Sequence, residues 1–435
     1  MKPPKLNLGK ELHVSVGAVA GGTGTEAQPF ASLKAVLDAI AQDDDWTGSI
    51  VMHPGKHSVT EEAVLPKTAT WKLMPGTTIA AGPGVSIHAQ NDVDARGTES
   101  SPILFTWLEK DKHWGSLTNF TKGSDNNVFE YVTFEHGYES DFEGVGMRGA
   151  LSLKNAKARI SHCQFINNEG DDGLNLKATD TLVEYSLFKG NASDGIDSDG
   201  VGKPEIRFCT FDNQINDNLD LGEGTSAFVH HNLIMGGQDK GISNGDGATP
   251  TLENNLIVNN FLGIGIKDDA DPMVRNNTIY GNQYGIRLYH HVDDYGNAKG
   301  TVVNNIIWGS ALQDVMYEAG DTVFKYNCIG SLKTEEGEDV IDNTGALLAD
   351  MEGILTVGTG CDDPGFVDPA NLDFHLKSEA GRWDASSESW VKDKESSPAI
   401  DRGDPDQDVG DEPAPNGGRI NLGAEGGTEE ASKSP

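Results

Sequence analysis

The middle of this chain repeats itself every 22 or 23 residues. Short segments that end in an apolar residue recur from Phe134 to Ile329, and their consecutive spacings are 31, 23, 23, 23, 23, 22, 28 and 22 residues. A second apolar column runs from Leu151 to Ile286, with spacings of 23, 22, 23, 23, 22 and 22 residues. Two columns with the same period indicate a solenoid, in which each repeat stacks on the one before it.

The make-up of each repeat points to β-structure. Short segments of alternating polar and apolar residues are divided by Asn, Gly and Asp, and none carries a helical pattern of ten residues. The pattern of leucine-rich repeats is absent. Three short strands per coil, with coils about 4.8 Å apart, therefore predict an all-β parallel β-helix. Equivalent side chains should stack in two runs: Phe165, Phe188 and Phe211, then Ile234, Ile257 and Ile279.

A polar column lies two residues before the first apolar column. We interpret it as a ladder of small side chains that hydrogen-bond to the backbone inside a turn. Two of its members, Cys163 and Cys209, lie two coils apart, which is roughly 9.6 Å and beyond disulfide reach. Four cysteines are also too few for a disulfide scaffold. The ladder residues are Cys163, Ser186, Cys209, Asn232, Asn255, Asn277, Asn305 and Asn327.

The flanks of the repeat predict a capped solenoid. Residues 1–49 form the predicted N-terminal cap region, in which Phe30, Leu33, Val36, Leu37 and Ile40 lie at helical spacing. We expect this helix to cover the open end of the stack, where unpaired strand edges need protection. Residues 50–330 should form the coils, residues 331–427 an irregular closing segment, and residues 428–435 a disordered tail.

The charge of the chain limits its partners. It has 33 Lys and Arg against 68 Asp and Glu, which gives a formal net charge of −35. A nucleic acid or an anionic membrane surface is therefore an unfavourable partner. No apolar run comes close in length to the roughly 20 residues that a membrane-spanning helix needs. We expect a monomer, because a β-helix buries its core without a partner chain.

Motifs at both ends resemble a known group. Gly-Gly-Thr-Gly-Thr at 21–25, followed by Pro-Phe-Ala-Ser-Leu at 29–33, resembles the opening of pectate-lyase-superfamily proteins. Residues 397–404 and 415–424 are similar to closing segments of secreted bacterial members. The resemblance implies a right-handed parallel β-helix and a secreted or cell-surface location. The first five residues lack an apolar signal core, so either the protein is cytosolic or its leader peptide has been removed.

Stacking would bring acidic residues of consecutive coils together. One row contains Asp172, Asp194 and Asp217. Carboxylates at coil spacing repel one another unless a cation or a proton lies between them, and dense oxygen ligands suit Ca²⁺. Asp and Asn also populate β-helix turns for conformational reasons, which is the alternative explanation. The predicted Ca²⁺ ligands are Asp172, Asp194, Asp197, Asp217 and Asp220.

Basic and aromatic residues follow the acids along the same columns. A surface strip that runs from acidic to basic to aromatic residues could bind an acidic polysaccharide. A base beside a metal-bound uronate could remove the C5 proton, and the 4-linked sugar would leave by β-elimination. The candidate bases are Lys240, Lys267 and Arg287. The candidate substrate-binding residues are Lys177, Tyr284, Tyr289 and His290, the last in a lengthened coil.

The arrangement is similar to that of the Ca²⁺-dependent pectate lyases. The resemblance implies metal ligands at Asp171, Asp172, Asp194, Asp197 and Asp217, and a lysine base at Lys240 or Lys267. It therefore favours a Ca²⁺-assisted polysaccharide lyase. Two alternatives stay open: a non-catalytic glycan-binding or surface β-helix with structural Ca²⁺, and a uronate C5-epimerase that abstracts the same proton without elimination.

Overall fold

A computed structural model describes residues 8–43, 45–120, 126–292, 294–318, 320–334, 351–356 and 360–435. The chain divides into two compact units, residues 1–205 with 209–216, and residues 206–208 with 217–435. Both are built from three-stranded coils, so the predicted all-β right-handed parallel β-helix is confirmed. No helix in the described ranges has the length and apolar character needed to cross a membrane.

The first unit contains three parallel sheets. Strands of its first sheet are β1 (Glu11–Val14), β2 (Gly48–Met52), β5 (Ala69–Leu73), β8 (Val93–Arg96), β11 (Asn127–Glu130), β16 (Ala158–Ser161) and β19 (Leu182–Glu184). The second sheet has β3 (Gly55–Val59), β6 (Thr77–Ala81), β9 (Ile103–Trp107), β12 (Val132–Glu135), β17 (Gln164–Ile166), β20 (Leu187–Lys189) and β23 (Thr210–Asp212). The third sheet has β4 (Ala63–Leu65), β7 (Ile87–Ala89), β10 (Leu117–Phe120), β15 (Gly149–Lys154), β18 (Asp172–Lys177) and β21 (Asp194–Asp199). A hairpin joins β13 (Ser140–Phe142) to β14 (Val145–Met147).

The second unit also contains three parallel sheets. The first has β22 (Glu205–Arg207), β25 (Phe228–His230), β28 (Thr251–Glu253), β31 (Met273–Arg275), β34 (Thr301–Val303), β37 (Val323–Lys325) and β40 (Met351–Glu352). The second has β26 (Leu233–Met235), β29 (Leu256–Val258), β32 (Thr278–Tyr280), β35 (Ile306–Trp308), β38 (Cys328–Ile329) and β41 (Leu355–Thr356). The third has β24 (Leu219–Leu221), β27 (Lys240–Asn244), β30 (Leu262–Ile266), β33 (Tyr284–Leu288), β36 (Gln313–Tyr317) and β39 (Leu332–Thr334).

Stacked side chains fill the core as the repeat predicts. In the first unit the ring centroids of Phe165 and Phe188 are 4.8 Å apart, and those of Phe188 and Phe211 are 4.7 Å apart. In the second unit Ile257 pairs in register with both Ile234 and Ile279. Because the same side chain recurs in each coil, every coil offers its neighbour a matching apolar surface.

The predicted turn ladder is present within each unit. Asn255 Oδ1 accepts hydrogen bonds from the backbone N–H and the side-chain amide of Asn232, at 3.1 and 2.9 Å. The amide of Asn255 in turn donates to the Val229 carbonyl oxygen at 2.9 Å. Cys163 and Cys209 are buried free thiols, as expected. At this turn the Asn232 N–H and the Val229 carbonyl oxygen are therefore both satisfied by Asn255 of the next coil.

The N-terminal cap contains one helix, α1 (Leu33–Ile40). Ser32 caps it by accepting a hydrogen bond from the Ala35 N–H, and Leu33, Val36 and Ile40 are buried as predicted. The coils begin earlier than residue 50, because β1 already pairs in parallel with β2. The cap region therefore includes a strand of the first coil.

The closing segment packs against the side of the second unit's coils. It contains two hairpins, β42 (Phe366–Asp368) with β43 (Asp373–Leu376), and β44 (Arg382–Asp384) with β45 (Ser389–Val391). A short 3₁₀ helix, Pro369–Asn371, links the first two strands.

Two further contacts hold the C-terminal part of the chain in place. A disulfide joins Cys328 to Cys361, a pairing that the sequence analysis did not predict. Residues 428–435, for which we predicted disorder, are packed instead. Ala431 is fully buried and the Ser432 hydroxyl donates to the Leu376 carbonyl oxygen.

Candidate functional site

Two neighbouring strands of the first unit carry the predicted acidic cluster. The parallel pairing of β18 and β21 places Asp172 beside Asp194, and Asn175 beside Asp197. The prediction that residues one coil apart lie side by side is thus confirmed for these pairs. Asp172 and Asp194 are only 2% and 6% exposed, whereas Asp197 is half-buried. Two adjacent buried carboxylates require compensation by a proton or a cation.

Asp172 lies in an environment that disfavours its charge. Burial raises the pKa of Asp172 well above its usual range, and the charges of Asp197 and Asp194 raise it further. Its Oδ2 atom is buried and accepts no hydrogen bond from any residue that the structure describes. The oxygen is therefore either protonated or bound to a cation that supplies the missing positive charge.

Asn175 contributes a second oxygen of the same kind. Its Nδ2 donates to Asp197 Oδ2 at 2.8 Å, which orients the amide. Its Oδ1 is buried without a hydrogen-bond donor among the described residues. An amide oxygen and carboxylate oxygens are the hard ligands that Ca²⁺ prefers. The residues present at this position therefore fit a bound calcium ion.

The predicted substrate-binding residue Lys177 lies on the same strand. It pairs in register with Asp199, and the two side chains form an ion pair of 3.0 Å. Each is about one-fifth exposed, 22% and 20% respectively. Lys177 thus offers a partly accessible positive charge next to the acids. Its partner Asp199 reduces the net charge available to a substrate.

The second unit places Lys240 between two acids. Asp217 Oδ1 accepts from the Lys240 backbone N–H at 2.9 Å and lies 3.3 Å from its ammonium nitrogen. Asp239 forms a second, shorter contact with the same ammonium group. Burial opposes the charge, but Asp217 and Asp239 raise the pKa of Lys240 above its usual value. Lys240 is therefore held protonated, which does not suit the general base we predicted for it.

The predicted metal ligands of the second unit have other surroundings. Asp217 is 2% exposed and binds Lys240, so a lysine supplies positive charge at a place where we predicted Ca²⁺. Asp220 is half-buried and lies beside Ser243 in the register of β24 and β27.

Tyr289 and Arg287 adjoin Lys240. Tyr289 is 8% exposed, and burial raises its pKa to about 12. The guanidinium carbon of Arg287 lies 4.7 Å from the centroid of the Tyr289 ring, and Arg287 forms an ion pair with Glu318. Gly265 leaves the space for this cluster, because a Cβ there would lie 3.1 Å from Lys240 Cδ and 3.4 Å from the Tyr289 hydroxyl.

Lys267 differs from the other candidate bases. It is half-buried, and it forms no ion pair within the part of the chain that the structure describes. Its side chain extends over Gly245, where a Cβ would approach Lys267 Cε to 2.9 Å. Tyr284 is half-buried and packs edge to face on Phe261, with ring centroids 5.8 Å apart. Lys267 is thus the candidate base that has no ion-pair partner among the described residues.

The lengthened coil of the second unit is fixed by two aspartates. Asp268 Oδ1 accepts from the backbone N–H groups of His291 and Val292, at 2.8 and 2.9 Å. Asp269 accepts from the Gly296 N–H at 2.6 Å and from Lys299 at 2.8 Å. The predicted substrate-binding residue His290 is exposed at the start of this loop. The loop is therefore held by buried and half-buried acids rather than by apolar packing.

Several partners of the site residues were missed from the sequence. Asp239 immediately precedes Lys240, and this adjacency could have indicated an ion pair. Glu318 lies 31 residues after Arg287, in a coil whose length departs from the regular period, so no column pointed to it. Asp199 lies in register with Lys177, but we did not predict it as the partner of that lysine.

Comparisons with known proteins give limited further information. Residues 172–344 match a family model described as a right handed beta helix region. Among curated proteins, none matches this chain.

Three solved structures are similar to this chain at low sequence identity. The pectate lyase Pel9A is 12% identical, with 96% of each chain covered and a TM-score of 0.48. The A-module of the mannuronan C-5 epimerase AlgE6 from Azotobacter vinelandii is 14% identical, with 75% of this chain and 94% of that chain covered and a TM-score of 0.46. A rhamnogalacturonan lyase is 12% identical, with 73% and 87% covered and a TM-score of 0.45. The strand pairing within this chain, rather than these similarities, carries the fold assignment.

Proposed function

We propose that this protein is an extracellular enzyme that cleaves an acidic polysaccharide by β-elimination with the help of Ca²⁺. The observation that carries the proposal is the acidic cluster on β18 and β21, in which Asp172 Oδ2 and Asn175 Oδ1 are buried without a hydrogen-bond donor from any described residue. A protein that only exposed acids for solubility would leave such oxygens in water. Buried oxygens without partners cost free energy, so their retention supports a ligand.

The calcium ligands we propose are Asp172, Asn175, Asp194 and Asp197. When bound, Ca²⁺ would accept a uronate carboxylate as a further ligand and stabilise the negative charge that develops on it when the C5 proton is removed. Asn175 was not among the ligands predicted from sequence. Its role follows from the register that puts it beside Asp197 and from its unpartnered oxygen.

The second unit supports recognition of an acidic polymer. Lys240 is held protonated by its acidic neighbours, and Arg287 lies against the Tyr289 ring. We propose that these cations bind carboxylates of the polymer and that the half-buried Tyr284 contacts its sugar rings.

Of the three predicted bases, Lys267 is the one that forms no ion pair among the described residues, and we propose to test it as the base. Its amine would have to be unprotonated to accept the C5 proton. In the reaction the C5–H electron pair forms the C4–C5 double bond, the bond from C4 to the glycosidic oxygen breaks, and the departing sugar takes up a proton. The products are one chain with an unsaturated uronate end and one with a free hydroxyl.

An extracellular location is supported by the Cys328–Cys361 disulfide, because structural disulfides form and persist mainly in oxidising compartments. The high negative charge is compatible with soluble extracellular enzymes and disfavours nucleic-acid binding.

The test is the ultraviolet absorbance of unsaturated uronate ends during incubation with pectate, alginate and related polymers. We expect absorbance on at least one polymer, its loss with a chelator, and its restoration by Ca²⁺. Lys267→Met should lower turnover by about 100-fold or more, whereas Lys203→Met, at an exposed lysine, should not.

Other outcomes would contradict the proposal. No unsaturated product on any uronate polymer, with binding retained, would favour a glycan-binding β-helix. Exchange of the C5 hydrogen with solvent without chain cleavage would indicate an epimerase.

A further inference from the structure

The closing segment contains a second group of ionisable side chains, separate from the acidic cluster. His375 on β43 lies next to Glu425 and Glu430, and one ligand-type atom from each lies within 4.8 Å of the others. The ring Nε2 of His375 is 3.5 Å from Glu430 Oε2. The ring Nδ1 lies 2.7 Å from Asp373 Oδ1. The imidazole ring of His375 thus has one carboxylate beside Nδ1 and two beside Nε2.

The Asp373 contact determines the state of the histidine ring. A carboxylate accepts hydrogen bonds and does not donate them, so Nδ1 carries the proton that binds Asp373. In the neutral ring Nε2 then has a free lone pair. This nitrogen is buried and has no hydrogen-bond partner in the part of the chain that the structure describes. The Nε2 lone pair faces two carboxylates, which cannot donate a hydrogen bond to it when they are ionised. A metal ion could bind the nitrogen and both carboxylates at once.

The charges of the group also favour a divalent cation. Asp373, Glu425 and Glu430 carry three negative charges when ionised, and no lysine or arginine of the described ranges pairs with them. A protonated His375 would offset only one of these charges. A doubly charged ion bound to Nε2 and to both glutamates would neutralise those two carboxylates completely.

We propose that His375, Glu425 and Glu430 bind a divalent transition-metal ion of the Zn²⁺ type, with Asp373 orienting the imidazole. One imidazole and two carboxylates form a ligand set that suits Zn²⁺, whereas Ca²⁺ takes oxygen ligands only. A ligating histidine commonly donates its other ring N–H to a carboxylate, as His375 does to Asp373. The fourth position of a tetrahedral site is left for water.

The site is accessible and joins distant parts of the closing segment. A cavity of about 380 Å³ is lined by Asp373, His375 and Glu425, so an ion can enter without unfolding. The metal would tie β43 to residues 425–430, fifty or more positions further along the chain. We expect it to stabilise the closing segment, and the proposal does not depend on the enzymatic function.

The test is metal binding to full-length protein that has been stripped with a chelator. We expect one Zn²⁺ to bind by calorimetry, a rise in the melting temperature, and visible d–d absorption when Co²⁺ replaces Zn²⁺. Glu430→Gln and His375→Gln should each weaken Zn²⁺ binding by at least about 10-fold. Glu429→Gln, at the neighbouring exposed glutamate, should bind like the wild type.

Two results would overturn the proposal. One is a wild-type protein that does not bind Zn²⁺. The other is a Glu430→Gln variant that is folded, as checked by circular dichroism, and binds Zn²⁺ with unchanged affinity. Asp194→Asn should leave Zn²⁺ binding intact, since it alters only the proposed Ca²⁺ site. Loss of polysaccharide cleavage and loss of Zn²⁺ binding can therefore be told apart.

Discussion

Two buried charged residues show how neighbouring side chains determine the protonation and binding properties of an ionisable group. Asp172 is 2% exposed, and its Oδ2 atom receives no hydrogen bond within the described part of the chain. Lys240 is 8% exposed and lies between Asp217 and Asp239, so its charge is compensated twice. The first residue can recruit a cation or a proton, and the second keeps its own proton because two carboxylates lie beside its ammonium group.

Asp172→Asn tests the state of the acidic cluster. Because the folded protein raises the pKa of Asp172, it binds this proton more tightly than the unfolded chain does. Without divalent cations, the free energy of unfolding of the wild type should therefore fall as the pH rises above the ordinary aspartate range. Asp172→Asn should lack this component and should gain little from Ca²⁺, as measured by thermal unfolding at pH 5 and pH 8.

Glu99→Gln is the control for that experiment, because Glu99 is an exposed acid. It should keep both the pH dependence and the stabilisation by Ca²⁺. If Asp172→Asn were stabilised by Ca²⁺ as strongly as the wild type, Asp172 would not be a ligand.

At the scale of elements, the turn ladders explain why irregular backbone can be buried between strands. Within the second unit Asn277 accepts two hydrogen bonds from Asn255 of the coil before it, at 3.0 and 2.9 Å. The same pair of hydrogen bonds is accepted by Asn255, Asn305 and Asn327. A second ladder, which the sequence analysis missed, links Asn260 to Asn282 at the opposite end of the strand. Its members lie after rather than before the apolar column.

Asn255→Ala should destabilise the coil stack strongly. The change removes the acceptor of two hydrogen bonds from Asn232 and the donor to Val229, all buried. We expect a loss of about 3 kcal/mol in the free energy of unfolding, measured by denaturant titration. Gln283→Ala, at an exposed residue, should change it by less than about 0.5 kcal/mol. Equal effects of the two substitutions would contradict the ladder as a source of stability.

The closing segment contains a buried glutamate that should make its stability depend on pH. Burial raises the pKa of Glu412 from 4.5 to about 7, although its Oε1 accepts hydrogen bonds from the Asn421 and Gly427 N–H groups. The folded state thus binds the proton more tightly than the unfolded state. The free energy of unfolding should fall by roughly 3 kcal/mol between pH 4.5 and pH 7 and change little above that range.

Glu412→Gln should remove this pH-dependent loss, since the amide keeps the acceptor oxygen and carries no charge. Denaturant titrations at pH 5 and pH 8 measure it, with Glu379→Gln at an exposed site as the control. A variant that still lost the same stability between these two pH values would show that another group is responsible.

At the scale of the whole molecule, the features that could be predicted from the sequence are those that recur in every coil. The two apolar columns predicted the fold, the Phe188 stack and the register of Asp172 with Asp194, because the same residue pattern recurs in each coil. Contacts outside the repeat were not predictable in this way. The Arg287–Glu318 pair, the Cys328–Cys361 disulfide and the packing of the last eight residues depend on segments that occur once.

Roles were harder to predict than positions. Column analysis identified Lys240 but could not show that two aspartates surround it, because Asp239 lies outside the columns. It also gave no sign that the side-chain oxygen of Asn175 would be buried without a donor among the described residues. Such features depend on side-chain orientation and burial, which the spacing of residues does not specify.

The most direct measurement of the central claim is an anomalous difference map from crystals grown with Ca²⁺. The cation should appear beside β18 and β21, bound to Asp172 Oδ2 and Asn175 Oδ1 and to oxygens of Asp194 or Asp197, at about 2.3–2.6 Å. A map with no peak at this position under saturating Ca²⁺, or with peaks only elsewhere, would contradict the proposed calcium site and the function built on it.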